Sequence, residues 1–554
     1  MIRSIAATAA ALALTGLPQS GVEQTAPGSR PAAALIESFD GLGVGFDGPQ
    51  GKTETRNPSD NSLAVGPDHI VQTVNSRLAI FTRKGKRFDR TGTVLYGAVQ
   101  TNTVFAGLGG PCDARNNGDA VVRYDQLAGR WLITMPIFAR IPIADVGERP
   151  PVDQPAAPGQ LARPGQASSP GPAKALPPNP PPPPPAPQGR GRGQRGQQPA
   201  PPPPPGTYAM CYALSVGSDP MGPYYRYAFE RPLFPDYPRP AVWIDGYYNP
   251  TSSSDNRISE TIATQKHACV VDRASMLAGR PAAEQCIVVL NVNFLNNADI
   301  DGTAVPPKGA PNVMMAAGGT QLDKILEADT IDTWQFHVDW KHHANTKLIG
   351  PTKVAVSPYH YLCGGQLTNC VPQPGTDRGL DAQGDKIMSR LVYRRIGNRE
   401  SMVAVHSVDT AAGGGGVRWY EFQIDKSRKV ALRQQGTYAP DRFYRWMASP
   451  AIDRFGNIGI GYSFGGTPNF AGQRFAARLP DDPPGTLGLR ETILVEGEAA
   501  QTSTLRWEDY TTTAIDPVDD CTVWYVGDYV KKDAESYSTK IGAFRMPGCG
   551  APPR

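Results

Sequence analysis

Short polar stretches, far apart in the chain, carry side chains that could do chemistry. They are Asp60 and Asn61; Asn116, Asn117 and Asp119; Asp236 and Tyr237; Asp385 and Arg390; Arg445 and Trp446; and the run Arg506-Trp507-Glu508-Asp509-Tyr510. Carboxylates, arginines and aromatic rings together suit a sugar or an acidic sugar. Aromatic faces stack on pyranose rings, arginines pair with carboxylates in a two-pronged way, and two carboxylates can divide the roles of acid and nucleophile or base. Asp509, Asp385 and Glu508 are accordingly the candidate catalytic groups. Arg390, Arg445, Trp446, Arg506, Trp507, Tyr510, Asp60, Asn61, Asn117 and Asp119 are the candidate binding residues. The same residue types also cap strand ends and bond neighbouring repeats, and Trp446 and Trp507 would serve equally as packing between repeats.

Other chemistries lack their signatures. The histidines show no zinc-protease spacing, and the one cluster, His337 to His343 (HVDWKHH), reads as strand and loop surface. No phosphate-binding loop, dinucleotide fingerprint or Gly-x-Ser-x-Gly elbow is present. No cofactor or metal is expected, with calcium the one ion left open. The net charge is only +4, and no basic tract outside a low-complexity insert argues for nucleic acid.

These polar stretches each precede a similar hairpin. In Asp441 to Ser463 the polar head is followed by a strand from Ala448 to Ile452, a turn around Asp453, Gly456 and Asn457, and a strand from Ile458 to Tyr462. Asp and Gly-Asn make turns through side-chain bonds to the local backbone and access to positive φ. The same figure stands at Asp68, Asp125, Asp245, Arg394 and Asp516, with a less regular member around Pro311 to Gly319. The pitch is roughly 60 residues, the mark of four-stranded propeller blades. An all-β, seven-bladed β-propeller is expected over residues 34–549, with six blades as the alternative. The strand Ala34 to Phe39 should complete the last blade, because an open edge invites aggregation.

Residues 1–20 read as a secretory signal: Arg3, then an apolar run from Ile5 to Leu17. Residues 21–33 read as a flexible lead-in. No segment approaches the ~20 apolar residues that span a bilayer. Secretion or a periplasmic location follows, with the protein a monomer. Residues 149–205, rich in Pro, Gly and Arg, have almost nothing to bury and are expected to form a disordered loop. The eight cysteines of an exported chain should pair. Cys363 with Cys370, and Cys521 with Cys549, are the two pairings that local position suggests; Cys112, Cys211, Cys269 and Cys286 remain open.

The segments SDNSLAVGPDHIVQTVN, GDAVVRYDQLAGRWL, FPDYPRPAVWIDGYY, YRWMASPAIDRFGNIGIGYS and RWEDYTTTAIDPVDDCTVWY resemble a family of uncharacterised exported bacterial β-propeller proteins. More distantly the repeats are similar to sialidase-like propellers. That likeness would make Arg390, Arg445 and Arg506 an arginine triad, with Tyr510 and Glu508 as nucleophile and its partner. Two functions follow as expectations. One is binding, with or without cleavage by a hydrolase or lyase reaction, of an extracellular glycan at the channel mouth. The other is a non-catalytic interaction scaffold.

Overall fold

The computed structural model describes residues 22–142, 161–162, 206–231, 234–252, 265–290, 292, 294–318, 329–365 and 367–550. The chain is all-β, 50% strand and 5% helix. The expected signal at 1–20 lies outside the described residues, as does the insert 149–205 apart from Leu161–Ala162, which pairs with Ile287 and Cys286.

Most of the described strands fall into seven antiparallel units: six are four-stranded meanders, unit three with two short strands added, and the seventh is three strands completed by one from the N-terminal segment. Unit one is Ser62–Val65, His69–Val74, Arg77–Thr82 and Val94–Gln100. Unit two is Val121–Asp125, Arg130–Pro142, Gly206–Ser215 and Tyr224–Arg231. Unit three is Ala241–Val242, Tyr247–Tyr248, Gln265–Val271 and Glu284–Leu290. Unit four is Asn296–Ile300, Asn312–Ala317, Thr330–His337 and Lys347–Ala355, so the less regular repeat around Pro311 to Gly319 supplies its second strand. Unit five is Leu391–Ile396, Arg399–Asp409, Gly415–Ile424 and Val430–Tyr438. Units four and five join into one larger sheet because Ala298–Ile300 pairs in parallel with Leu391–Tyr393. Unit six is Tyr444–Ile452, Ile458–Gly466, Asn469–Arg478 and Thr492–Val495.

Unit seven shows how the ends of the chain meet. Thr512–Ile515, Val523–Tyr529 and Ser538–Arg545 are joined by Ala34–Gly43, which pairs antiparallel with Ser538–Arg545. Ten N-terminal residues thus cover what would be an open sheet edge. The preceding segment, expected to be a flexible lead-in, is instead tied down. Glu23–Gln24 pairs with Thr437 and Tyr438, and Arg30 forms ion pairs with Asp481 and Asp482 at 2.8 and 2.7 Å. The unpaired edge of unit five and two aspartates of unit six supply partners that composition alone does not reveal.

The hairpin turns use the expected device. Asp453 accepts bonds from the backbone of Phe455 and Asn457, both at 2.9 Å, and from the Asn457 side chain at 2.7 Å. Asp125 and Asp516 fasten their own turns in the same way. Four disulfides, Cys112–Cys211, Cys269–Cys286, Cys363–Cys370 and Cys521–Cys549, use every cysteine. Such a set fits an oxidising compartment. No described helix is long and apolar enough to cross a membrane.

Candidate functional site

At or just before the first strand of six of the seven units, unit four excepted, the backbone is unusual. Asp60, Asp119, Tyr237, Gln383, Met447, Glu508 and Asp509 all have positive φ, between 47° and 63°. Left-handed backbone disfavours side chains other than Gly, Asn and Asp, and is retained only where the surroundings enforce it. The repeated twist turns the heads of units one, two, three and seven inward. With Phe294 of unit four and Gln383 of unit five they enclose a cavity of about 250 Å³.

Its polar lining is Asp60, Asn75, Asn117, Asp119, Asp236, Gln383, Arg506 and Asp509, and its apolar lining includes Phe138, Phe234, Tyr237 and Phe294. Three carboxyls form a chain, with Asp119 hydrogen-bonded to both Asp60 and Asp236. Asp60 is fully buried, and its Oδ2 accepts from Asn75 Nδ2 at 2.8 Å. Burial, then the charges of Asp119 and Asp509, hold its carboxyl well above the usual carboxylate range. Burial, then Asp236, pushes Asp119 up to about 8. Carboxyls that share a site cannot all ionise, so this chain retains protons at neutral pH. Asp509 is differently occupied: Oδ1 accepts from Gln383 Nε2 at 2.7 Å, and both oxygens bond Arg506.

The wall is aromatic. Phe138 and Phe234 stack with centroids 4.8 Å apart. Tyr237 meets Tyr510 edge to face at 5.3 Å and Phe294 at 5.0 Å. Its hydroxyl donates to the Asp509 carbonyl, and burial keeps that phenol protonated.

The candidate residues therefore divide. Asp60, Asn117, Asp119, Arg506 and Asp509 line the cavity, as do Asp236 and Tyr237, and Tyr510 packs behind Tyr237. Glu508 does not line it. Its carboxyl is buried between Ser463 Oγ (3.1 Å), Gln473 Nε2 (3.0 Å) and the Asp528 backbone N–H (2.6 Å). Asn61 bonds the same Asp528. Asp385 is buried beside Lys386, at 3.3 Å. Trp507 donates to Ser463 Oγ and packs near Trp446 at 6.3 Å, the inter-repeat role.

The three arginines of the sialidase comparison share no partner. Arg390 bonds Asp299 (2.6 Å), Asp301 (2.7 Å) and the Thr513 carbonyl. Arg445 bonds Asp441 and Glu491. Only Arg506 faces the cavity. Arg390 belongs instead to a knot with Arg123, which lies 3.3 Å from Asp299, and the void beside the knot is only about 30 Å³.

Sequence reasoning missed Asn75, Phe138, Phe234, Phe294, Leu367 and Gln383. Gln383 stands two residues before Asp385 and Phe234 two before Asp236, so widening each head by two would have caught both. Metal donors converge at two places among the described residues, Cys269/Glu284/Cys286 and Asp519/Cys521/Cys549. In both the cysteine sulfurs are bonded to each other, which removes them as ligands.

No protein-family model matches the chain, and no curated protein matches it. Among solved structures it is similar to the polysaccharide lyase Uly1, at 11% identity over 58% of this chain and 72% of that one, with a TM-score of 0.30. It is also similar to an ulvan lyase of a new polysaccharide lyase family, bound to GlcA(1-4)Rha3S, at 11% identity over 92% of this chain and 96% of that one, with a TM-score of 0.33. Similarities of this size mark a distant likeness and assign no activity to this chain.

Proposed function

We propose that the chain is an exported seven-bladed propeller that binds a glycan in the cavity made by its strand heads. The observation that carries this reading is the lining itself: hydrogen-bonding carboxyls and amides opposite a wall of four aromatic rings, from segments more than 400 residues apart. Sugars present hydroxyls on the edge and C–H groups on the faces, and such a cavity meets both. The ring is supported by bonds between units that close the circuit. Arg83 of unit one grips Asp516 of unit seven with two bonds of 2.7 Å, and the Ser62 hydroxyl bonds Val122 of unit two. Export is supported by the apolar N-terminal run and the four disulfides.

Cleavage, where it occurs, would draw on the protons held by Asp60 and Asp119. An acid with a raised pKa can protonate a leaving oxygen at neutral pH. Asp509 serves to orient Arg506, since both its oxygens are taken. Glu508 and Asp385 have structural places in this scheme.

The scaffold reading has its own observation: Arg390, Arg445, Glu508 and Trp507 are all bonded inside the protein, and Trp446 is buried there. A glycan array probed with the purified protein and with Asp119→Asn separates the two. Selective binding that Asp119→Asn abolishes, with melting unchanged, supports the site. A blank array with folded wild type favours the scaffold.

A further inference from the structure

A short loop closed by the Cys363–Cys370 disulfide contributes one apolar side chain, Leu367, to the lining of the cavity. Among the described residues Leu367 is the most exposed of the large apolar side chains, at 54%. A side chain that lines a cavity and is half exposed stands at its opening. The Leu367 backbone is left-handed, with a φ of 58°. Leucine is disfavoured there, and Gly or Asn would hold the same turn with less strain. The conformation is enforced from beneath. Buried Asp381 accepts from the backbone N–H groups of Leu367 and Thr368, the latter at 3.4 Å. The same carboxyl accepts from Gln383 Nε2 at 3.2 Å, and that amide also reaches Asp509 Oδ1 at 2.7 Å. One anchor therefore fixes both the rim and a polar group of the cavity. A strained, half-exposed leucine adds little to the core, and its side chain is open to contact from outside the chain.

The volume of the cavity limits how much of a glycan it can enclose. At about 250 Å³ it is smaller than the roughly 300–1,000 Å³ of pockets that enclose a whole drug-sized ligand. It has room for the end of a chain, and the next sugar must lie across the opening, where Leu367 stands. We propose that the cavity takes the terminal sugar of an oligosaccharide and that Leu367 is the specificity-determining contact for the second sugar, on the C–H face of that ring. This rests on the glycan reading above and narrows it to chain ends. The contact is apolar and does not involve the carboxyls of the cavity.

The test is binding of the full chain, at graded concentrations, to a glycan array that carries each sugar as a mono-, di- and trisaccharide. Leu367→Asn and Leu367→Gly run beside the wild type; both residues accept positive φ, so both variants should melt close to it. Wild type should bind disaccharides about tenfold tighter than the matching monosaccharides. Both variants should lose that step and keep the monosaccharide affinity. An absent step, variants that keep it, or variants that weaken every length alike would each overturn the Leu367 assignment while leaving a glycan site. Melting lowered in both variants makes the leucine a fold residue and overturns the assignment as well. No binding at any length by folded wild type overturns the glycan reading and this one together.

Discussion

Asp119 and Asp60 keep their protons for different neighbours' sake but the same first cause, burial. The consequence for stability has a definite sign. A carboxyl whose folded pKa exceeds its unfolded value of roughly 3.9 binds a proton more tightly when folded. Its stabilising share is full below the unfolded pKa and is lost as pH rises, here between about pH 4 and about 8 for Asp119. His267 and His406 act oppositely: burial lowers both to about 3, so the fold gains stability from them as pH rises from there towards 6.5. The carboxyl effect is isolated by comparison with a variant. The melting temperature of Asp119→Asn minus that of wild type should increase steadily from pH 5 to pH 8; a flat difference would show that Asp119 ionises normally. Glu508 gives a second residue-scale outcome. Burial, then Asp528, pushes its carboxyl well up, towards the neutral form. Glu508→Gln should therefore melt close to wild type, whereas Glu508→Ala, which orphans the Asp528 N–H and its neighbours, should cost roughly 1–3 kcal/mol by denaturant titration.

Between elements, ion pairs do what hydrogen-bonded strands cannot, because the units have few ladder bonds to one another. Arg390 joins the lead-in of unit five to Asp299 and Asp301 of unit four and to Thr513 of unit seven. Arg394 bonds Asp520 of unit seven at 2.7 Å. Replacing Arg390 by Met takes from buried Asp301 the cation bonded to it and leaves Asp299 only Arg123 at 3.3 Å, and urea unfolding should report a loss of roughly 3–5 kcal/mol. The hairpins of these elements were legible in the sequence because their determinants are local: Asp453 bonds residues two and four positions on. So was the N-terminal strand, whose need followed from a unit short of one strand. The site was half legible. Asp60, Asp119, Arg506 and Asp509 declare themselves as charged groups at repeat heads. The roles of Arg390, Arg445 and Glu508 depend on partners 91, 46 and 20 residues away, which spacing does not reveal. The inserted segment is a third case. Pro142 pairs with Gly206 and Ile141 with Thr207 on either side of it, so the two strands are already in register where they part. Deleting residues 150–205 should leave a single cooperative thermal transition; its loss would show that the segment supports unit two.

At the scale of the whole molecule, the two ends of the chain meet across nearly its full length. Lys540 donates to Asp40 at 2.9 Å across a sequence distance of 500 residues, within the sheet formed by Ala34–Gly43 and Ser538–Arg545. Translation at about 5–20 residues per second puts roughly 25–100 s between the making of the two strands. Through that interval the early strand has no partner, and every finished unit waits beside an unfilled position. Closing so long a loop is slow compared with forming the local hairpins. The last strand made is thus the timer of assembly: chains stalled or clipped before Ser538 should accumulate as soluble-edge intermediates that bind a synthetic Ser538–Arg545 peptide, while the complete chain should ignore it.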